Sequence, residues 1–219
     1  MSLELLLKFN CANSTCIDIG LRSLFNVSNM QLGDDFISWS NKLKYLGVMF
    51  NVAKTLSIDL DVIRRKFFAA CNCLLGNSIH QNEIIKLCLQ ESYALPVLQY
   101  ACSVISFTKS QLNDLNVCWN FVYRRIFGFC KFEPVHCFIA GLGRLDFLHI
   151  YLFLTLKFIK CVQYTSNTVF KSLIGIYMQS SAFSLLSKSA KLSMVDFVHL
   201  PVYDLKGFIT DLFRAKNDL

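Results

Sequence analysis

The sequence predicts a mainly α-helical chain with a small N-terminal antiparallel β-sheet, an α+β arrangement, and three observations carry that expectation. From residue 57 onward apolar residues recur at helical spacing almost to the C-terminus, the pattern of helices that each bury one face. Before residue 52 the apolar residues come in short pieces separated by Asn, Ser and Gly-Asp-Asp, which is strand-and-turn chemistry. The 219 residues are 54% hydrophobic and 17% charged, with 20 Phe but only 9 Gly and 3 Pro. Such a chain can bury enough surface to offset its ordering entropy, so disorder is excluded as its main theme.

Taken in order, the pattern predicts a short amphipathic helix over 3–9, then strand pieces at 15–19, 29–32, 36–39 and 44–50, with a hairpin turn at 33–35. Ser57 or Asp59 is placed to cap a helix whose stripe reads Leu60, Ile63, Phe67, Ala70, Cys71 and Leu74, and Gly76-Asn77 supplies its stop. Asn82 caps the next helix, with Ile85, Leu89 and Tyr93 inward, and Pro96 bends or restarts it. Thr108 and Gln111 form a capping box ahead of Leu112, Leu115, Trp119, Val122 and Ile126, and Gly128 closes that helix. Glu133-Pro134 opens a short helix to Ala140. Asp146 then caps a very apolar helix ending around 163–167. Trp119 and Phe147 belong in the core. Residues 168–219 are helical at first and poorly patterned near LSMVDFVHLPVYDL.

With a mean hydropathy of +0.43, the chain is either a membrane protein or a piece of a larger protein whose buried interfaces now count as surface. The longest apolar run covers 147–159, FLHIYLFLTLKFI, and is interrupted by His149 and Lys157; a span needs roughly twenty residues, so this is a core helix and no membrane partner is expected. MSLELLLKFN carries Glu4 in place of a basic start and has no small-residue cleavage site, so export is not implied and a cytoplasmic or nuclear location is expected. The ten cysteines fall into no repeated spacing. Cys71, Cys88, Cys102, Cys118 and Cys161 sit in apolar helical stretches and read as reduced, buried, small hydrophobes. Cys130, His136 and Cys137 lack a C-x-x-C arm and a fourth ligand at finger spacing, so zinc is not expected. The net charge of +7 permits a nucleic-acid or anionic-membrane partner.

Gly33-Asp34-Asp35 poses the sharpest chemical question. Paired carboxylates in a turn between strands can hold the divalent metals of nucleotidyl transfer. The same residues are also ordinary hairpin chemistry, Gly taking positive φ and Asp bonding its own backbone.

Three stretches in order resemble the reverse transcriptase of non-LTR (LINE-type) retrotransposons. FNCANSTCIDIG followed by MQLGDDFISWSNKLKYLGVMF is similar to the end of the palm: a strand with a Lys-Ser pair, a Gly turn, a Trp strand and the YLG strand at the palm–thumb junction. NEIIKLCLQESYALPVLQYA followed by LNDLNVCWNFVYRRIFG is similar to the thumb helices, and FIAGLGRLDFLHI to the segment after the thumb. The resemblance covers roughly residues 3–178 and implies a division into an end-of-palm segment at 1–52, a helical thumb-like bundle at 53–130 and a helical post-thumb segment at 131–219. It also implies that Asp34 and Asp35 are turn residues, because the family's catalytic aspartates lie upstream of the Lys-Ser strand. Asn13 stands beside Ser14 where the family has lysine, and an amide cannot act as a general acid toward pyrophosphate.

By this resemblance the chain is expected to be a truncated remnant or fragment of an RNA-directed DNA polymerase, with no catalytic residues or cofactor of its own; magnesium serves the parent polymerase. Its implied partner is an RNA/DNA duplex. Tyr45 and Gly47 match the primer grip, where Gly lets primer backbone approach closely, and Lys42 and Lys44 flank it on one strand face. Arg64, Arg65 and Lys66 form one basic cluster and Arg124, Arg125 and Lys131 another, each suited to phosphates by charge alone. Arg144 is expected to pair with Asp146 or to cap carbonyls. Exposed apolar surface would favour self-association. The alternatives are a small helical membrane protein and a host interaction module derived from the thumb.

Overall fold

The computed structural model describes residues 10, 14–20, 28, 30–32, 35–52, 56–100, 102, 105–179, 183, 188 and 200–216. The expected helix at 3–9, Asn13, Gly33, Asp34 and most of the poorly patterned stretch lie outside them. The chain is mainly helical with a small antiparallel sheet region near its N-terminal end, and it divides into two compact units, Met1–Val62 and Ile63–Leu219.

In the first unit, β1 (Met30–Leu32) pairs antiparallel with β2 (Asp35–Ile37), Met30 facing Ile37 and Leu32 facing Asp35. Three further strands, β3 (Lys42–Tyr45), β4 (Val48–Val52) and β5 (Leu56–Ile58), form a second antiparallel sheet with β4 in the centre. Strand side chains alternate between faces, so Val48 and Val52 share one side of β4; both are buried, as are Ile37 and Ile58. The strand expected at 15–19 reduces to one parallel bridge between Cys16 and Trp39. The single strand expected at 44–50 is instead a hairpin. Gly47 at φ 81° and Leu46 at φ 44° turn the chain back on itself. β5 is an element the sequence pattern missed, since three residues show no period until β4 supplies a partner. Asp59, just beyond it, accepts the Asp61 N–H at 3.2 Å, which is the expected capping role.

The helices of the second unit follow their punctuation closely. Helix α1 is Leu60–Asn77, with Phe67 and Cys71 buried. Asn82 accepts the Ile85 N–H at 2.8 Å to start α2 (Glu83–Leu89). A π-turn at Gln90–Ala94 leads into α3 (Leu95–Gln99). Pro96 lacks an N–H, so the ladder widens just ahead of it instead of breaking. The inward face is the stripe Leu87, Gln90, Ala94 and Leu98, which is buried at ordinary helical spacing, whereas Ile85 and Tyr93 on the neighbouring stripe are exposed.

The Thr108–Gln111 capping box is complete, with reciprocal bonds of 2.9 and 3.2 Å, and starts α4 (Lys109–Phe127). Gly128 ends it in the left-handed region. The short α5 is His136–Gly141. Asp146 accepts the His149 N–H at 2.9 Å and starts α6 (Phe147–Gln163). Asn167 caps α7 (Thr168–Met178), and α8 is Leu205–Lys216.

These helices meet around α4. Phe67 lies edge-on to Trp119, which lies edge-on to Tyr123 at 5.4 Å between centroids; each such pair adds about 0.5–1.5 kcal/mol to the burial of its rings. Trp119 and Phe147 are both buried. Helix α8 packs on α6, its Phe213 ring 4.6 Å from His149. Among the described residues no helix is long and apolar enough to cross a membrane.

Candidate nucleic-acid interface

The β3–β4 hairpin carries the first group of candidate residues. Tyr45 faces Val48 across the ladder, so Leu46-Gly47 is a two-residue turn with both φ positive, the type I′ geometry that matches strand twist. The first position of such a turn usually belongs to Asn, Asp or Gly. Leu there costs about 1–2 kcal/mol because its Cβ crowds the following carbonyl. The same leucine is 72% exposed and its neighbour Tyr45 61% exposed, so the strain is not offset by burial. Lys42 and Lys44 are both exposed and stand on one face of β3. The Lys42 ammonium lies 3.5 Å from the Asp59 carboxylate, whereas Lys44 faces Met49 across the ladder.

The α1 cluster separates into inward and outward members. Arg64 is half-buried, and its guanidinium bonds to the Cys118 thiol of α4; burial pushes that thiol up, and the guanidinium pulls it back by charge and hydrogen bond. Arg64 therefore turns toward Cys118 of α4 and is less open to solvent than its two neighbours. Arg65 and Lys66 are exposed.

The α4 cluster separates in the same way. Arg124 turns its fork onto the Glu133 carbonyl, with Nε and Nη2 donating at 3.0 and 2.9 Å. Arg125, one residue on, is exposed, as is Lys131. Between Gly128 and Pro134 the chain forms a tight turn: Glu133 N–H donates to the Cys130 carbonyl at 3.2 Å, and the Cys130 N–H donates to the Glu133 carboxylate. Phe129 tucks against Phe138 at 4.9 Å. Phe132 does not tuck in: it is 88% exposed, with the Lys131 ammonium 5.4 Å from its ring centre. Sequence reasoning passed over Phe132. The available signal was a Phe lying off every helical stripe, inside a turn and beside a lysine.

Other expected sites resolve differently. Arg144 pairs with Glu91 at 2.9 Å, not with Asp146, whose carboxylate is already engaged by the His149 backbone and ring. Cys71, Cys102 and Cys118 are buried as expected, but Cys88 and Cys161 are exposed, because they fall on the outer faces of α2 and α6. Burial pushes the Cys71 and Cys102 thiols up to about 12. Cys130, His136 and Cys137 are all exposed, and no group of three potential ligands is poised to hold a metal among the described residues. A groove of about 260 Å³ runs between α6 and α7, lined by Thr155, Ile159, Val162, Phe170, Leu173 and Tyr177. On α7 itself Val169, Phe170, Leu173 and Ile176 are each more than half exposed. No protein family, curated protein or solved structure matches the chain.

Proposed function

We propose that the chain is the end-of-palm and thumb portion of a non-LTR retrotransposon reverse transcriptase, binding nucleic acid through phosphates and not itself supplying polymerase chemistry. The observation that carries this reading is the strained tip of the β3–β4 hairpin. A leucine held at positive φ at an exposed hairpin tip is strained, and strained positions of this kind cluster where a surface contacts a ligand. It falls on the YLG segment that resembles the family's primer grip. Lys44, Arg65, Lys66, Arg125 and Lys131 supply exposed positive charge to the two units, and phosphate contacts of this kind are independent of base sequence. Magnesium belongs to the parent polymerase in this reading.

The test is a pair of measurements on Leu46→Asn. Asn before Gly47 suits a type I′ turn, so the substitution should stabilise the hairpin by about 0.5–1 kcal/mol, read as slower amide exchange across β3 and β4. If the tip contacts the primer strand, RNA–DNA duplex affinity should fall several-fold in the same variant. Stabilisation with unchanged affinity would remove the hairpin from the interface. A wild-type chain that binds no duplex at low salt would end the reading altogether.

Self-association through the apolar face of α7 accompanies this function, since four large apolar side chains more than half exposed on one helix favour covering by a second copy.

A further inference from the structure

The geometry points to Phe132 as a stacking platform for an unpaired base, so that the turn after α4 takes single-stranded nucleic acid. The inference rests on the nucleic-acid reading above and adds the form of the strand and the residue that meets a base. Phe132 is the most exposed large apolar side chain among the described residues, at 88%. Its turn is nonetheless firmly held. Phe129 N–H returns to the Arg124 carbonyl, Arg124 clamps the Glu133 carbonyl with two donors, Glu133 closes onto Cys130, and Phe129 anchors against Phe138. A ring projected from a pinned turn loses little conformational freedom when something lies on it, which is what a preorganised contact requires.

Charge selects the occupant. Lys131 stands beside the ring, Arg125 is exposed in the last turn of α4, and the acidic residue next in sequence, Glu133, has its carboxylate engaged by the Cys130 N–H. An aromatic face next to a cation matches a nucleotide, whose base stacks while its phosphate pairs. Stacking of this kind tolerates any base, since every base has a π-face. A duplex cannot use it without unstacking, so the contact favours a single strand or a frayed end. An anionic bilayer also attracts cations and rings, but interfacial anchoring needs a broad apolar face, and here Phe129, the turn's other aromatic, is turned inward onto Phe138.

The test uses the full chain, a single-stranded oligodeoxynucleotide carrying one 2-aminopurine, an RNA–DNA duplex of equal length, and vesicles of mixed phosphatidylcholine and phosphatidylserine. Phe132→Ala should weaken single-strand binding about 5- to 150-fold per stacked base, the range equivalent to ~1–3 kcal/mol, and should abolish the quenching of 2-aminopurine fluorescence. Phe132→Leu, apolar but unable to stack, should behave like Phe132→Ala, and Phe132→Trp should retain binding. Duplex affinity should stay within about twofold in all three variants, because phosphate contacts dominate it. Single-strand affinity and quenching unchanged in Phe132→Ala, with duplex binding intact, would overturn the stacking role and leave the nucleic-acid reading standing. Loss of vesicle binding in Phe132→Ala without loss of oligonucleotide binding would also overturn it and assign the ring to a membrane surface. Failure of the wild-type chain to bind either nucleic acid would overturn both.

Discussion

Arg124 and Arg125 are adjacent in sequence and alike in chemistry, and the structure gives them opposite work. Arg124 is half-buried and donates twice to the Glu133 carbonyl, at 3.0 and 2.9 Å, closing the turn that follows α4. A hydrogen bond from a charged donor is worth about 1.5–3 kcal/mol when water is excluded. Here both bonds fall on a single acceptor that water can partly reach, so Arg124→Ala should cost roughly 1–2 kcal/mol. For a cooperative unit of this size, that is a fall of about 3–8 °C in the thermal midpoint. Arg124→Lys keeps the charge but lacks the planar fork and should recover less than half of the loss. Arg125→Ala removes an exposed side chain and should move the midpoint by no more than about 0.5 kcal/mol in equivalent stability. Its effect should instead be on binding: a weaker affinity for every duplex sequence alike, and a salt slope lower by about one unit. Scanning calorimetry and fluorescence anisotropy at several salt concentrations read the two quantities separately. Equal midpoint losses in both alanine variants, or equal binding losses with unchanged midpoints, would refute the division of labour.

Four further outcomes follow from buried and exposed side chains. Trp119→Ala should destabilise the helical unit by about 3–5 kcal/mol through the cavity it leaves, read as a shift of the urea midpoint. The raised Cys71 and Cys102 thiols make the protein sensitive to alkali: below pH 9 both states hold the protons, but above it the unfolded thiols ionise while the folded ones, held to about 12, do not. Stability should therefore fall by about 2 kcal/mol between pH 9 and 10, and Cys71→Ala with Cys102→Ala should flatten that loss. Native alkylation at pH 8 followed by mass spectrometry should label Cys73, Cys88, Cys130, Cys137 and Cys161 and spare Cys71, Cys102 and Cys118. Leu173→Glu, placing a charge on the exposed apolar face of α7, should abolish concentration-dependent association in sedimentation velocity.

What was legible in the sequence was punctuation. Asn82, Thr108 with Gln111, Gly128 and Asp146 each act through bonds to backbone atoms within a few residues of themselves, so their roles do not depend on the rest of the fold. Asp35 could likewise be set in a hairpin from its neighbours alone, and it lies at the start of β2 opposite Leu32. What failed was whatever a distant partner decides. β5 exists because β4 has an edge to fill, and the strand at 15–19 shrank to a bridge because Cys16 alone finds Trp39. Ile85 and Tyr93 sat on a plausible helical stripe, but packing against α4 turns the neighbouring stripe, Leu87, Gln90 and Ala94, inward.

The candidate interface shows the same limit from the side of charge. A basic cluster in a sequence counts cations without saying which of them the fold consumes. Arg64 goes to Cys118, Arg124 to a carbonyl and Lys42 toward Asp59, while Lys44, Lys66, Arg125 and Lys131 remain exposed. On a helix an inward and an outward arginine can be consecutive because each residue advances the chain by about 100°. Neutralising a whole cluster therefore mixes lost stability with lost binding, and only single substitutions chosen by exposure can separate the two.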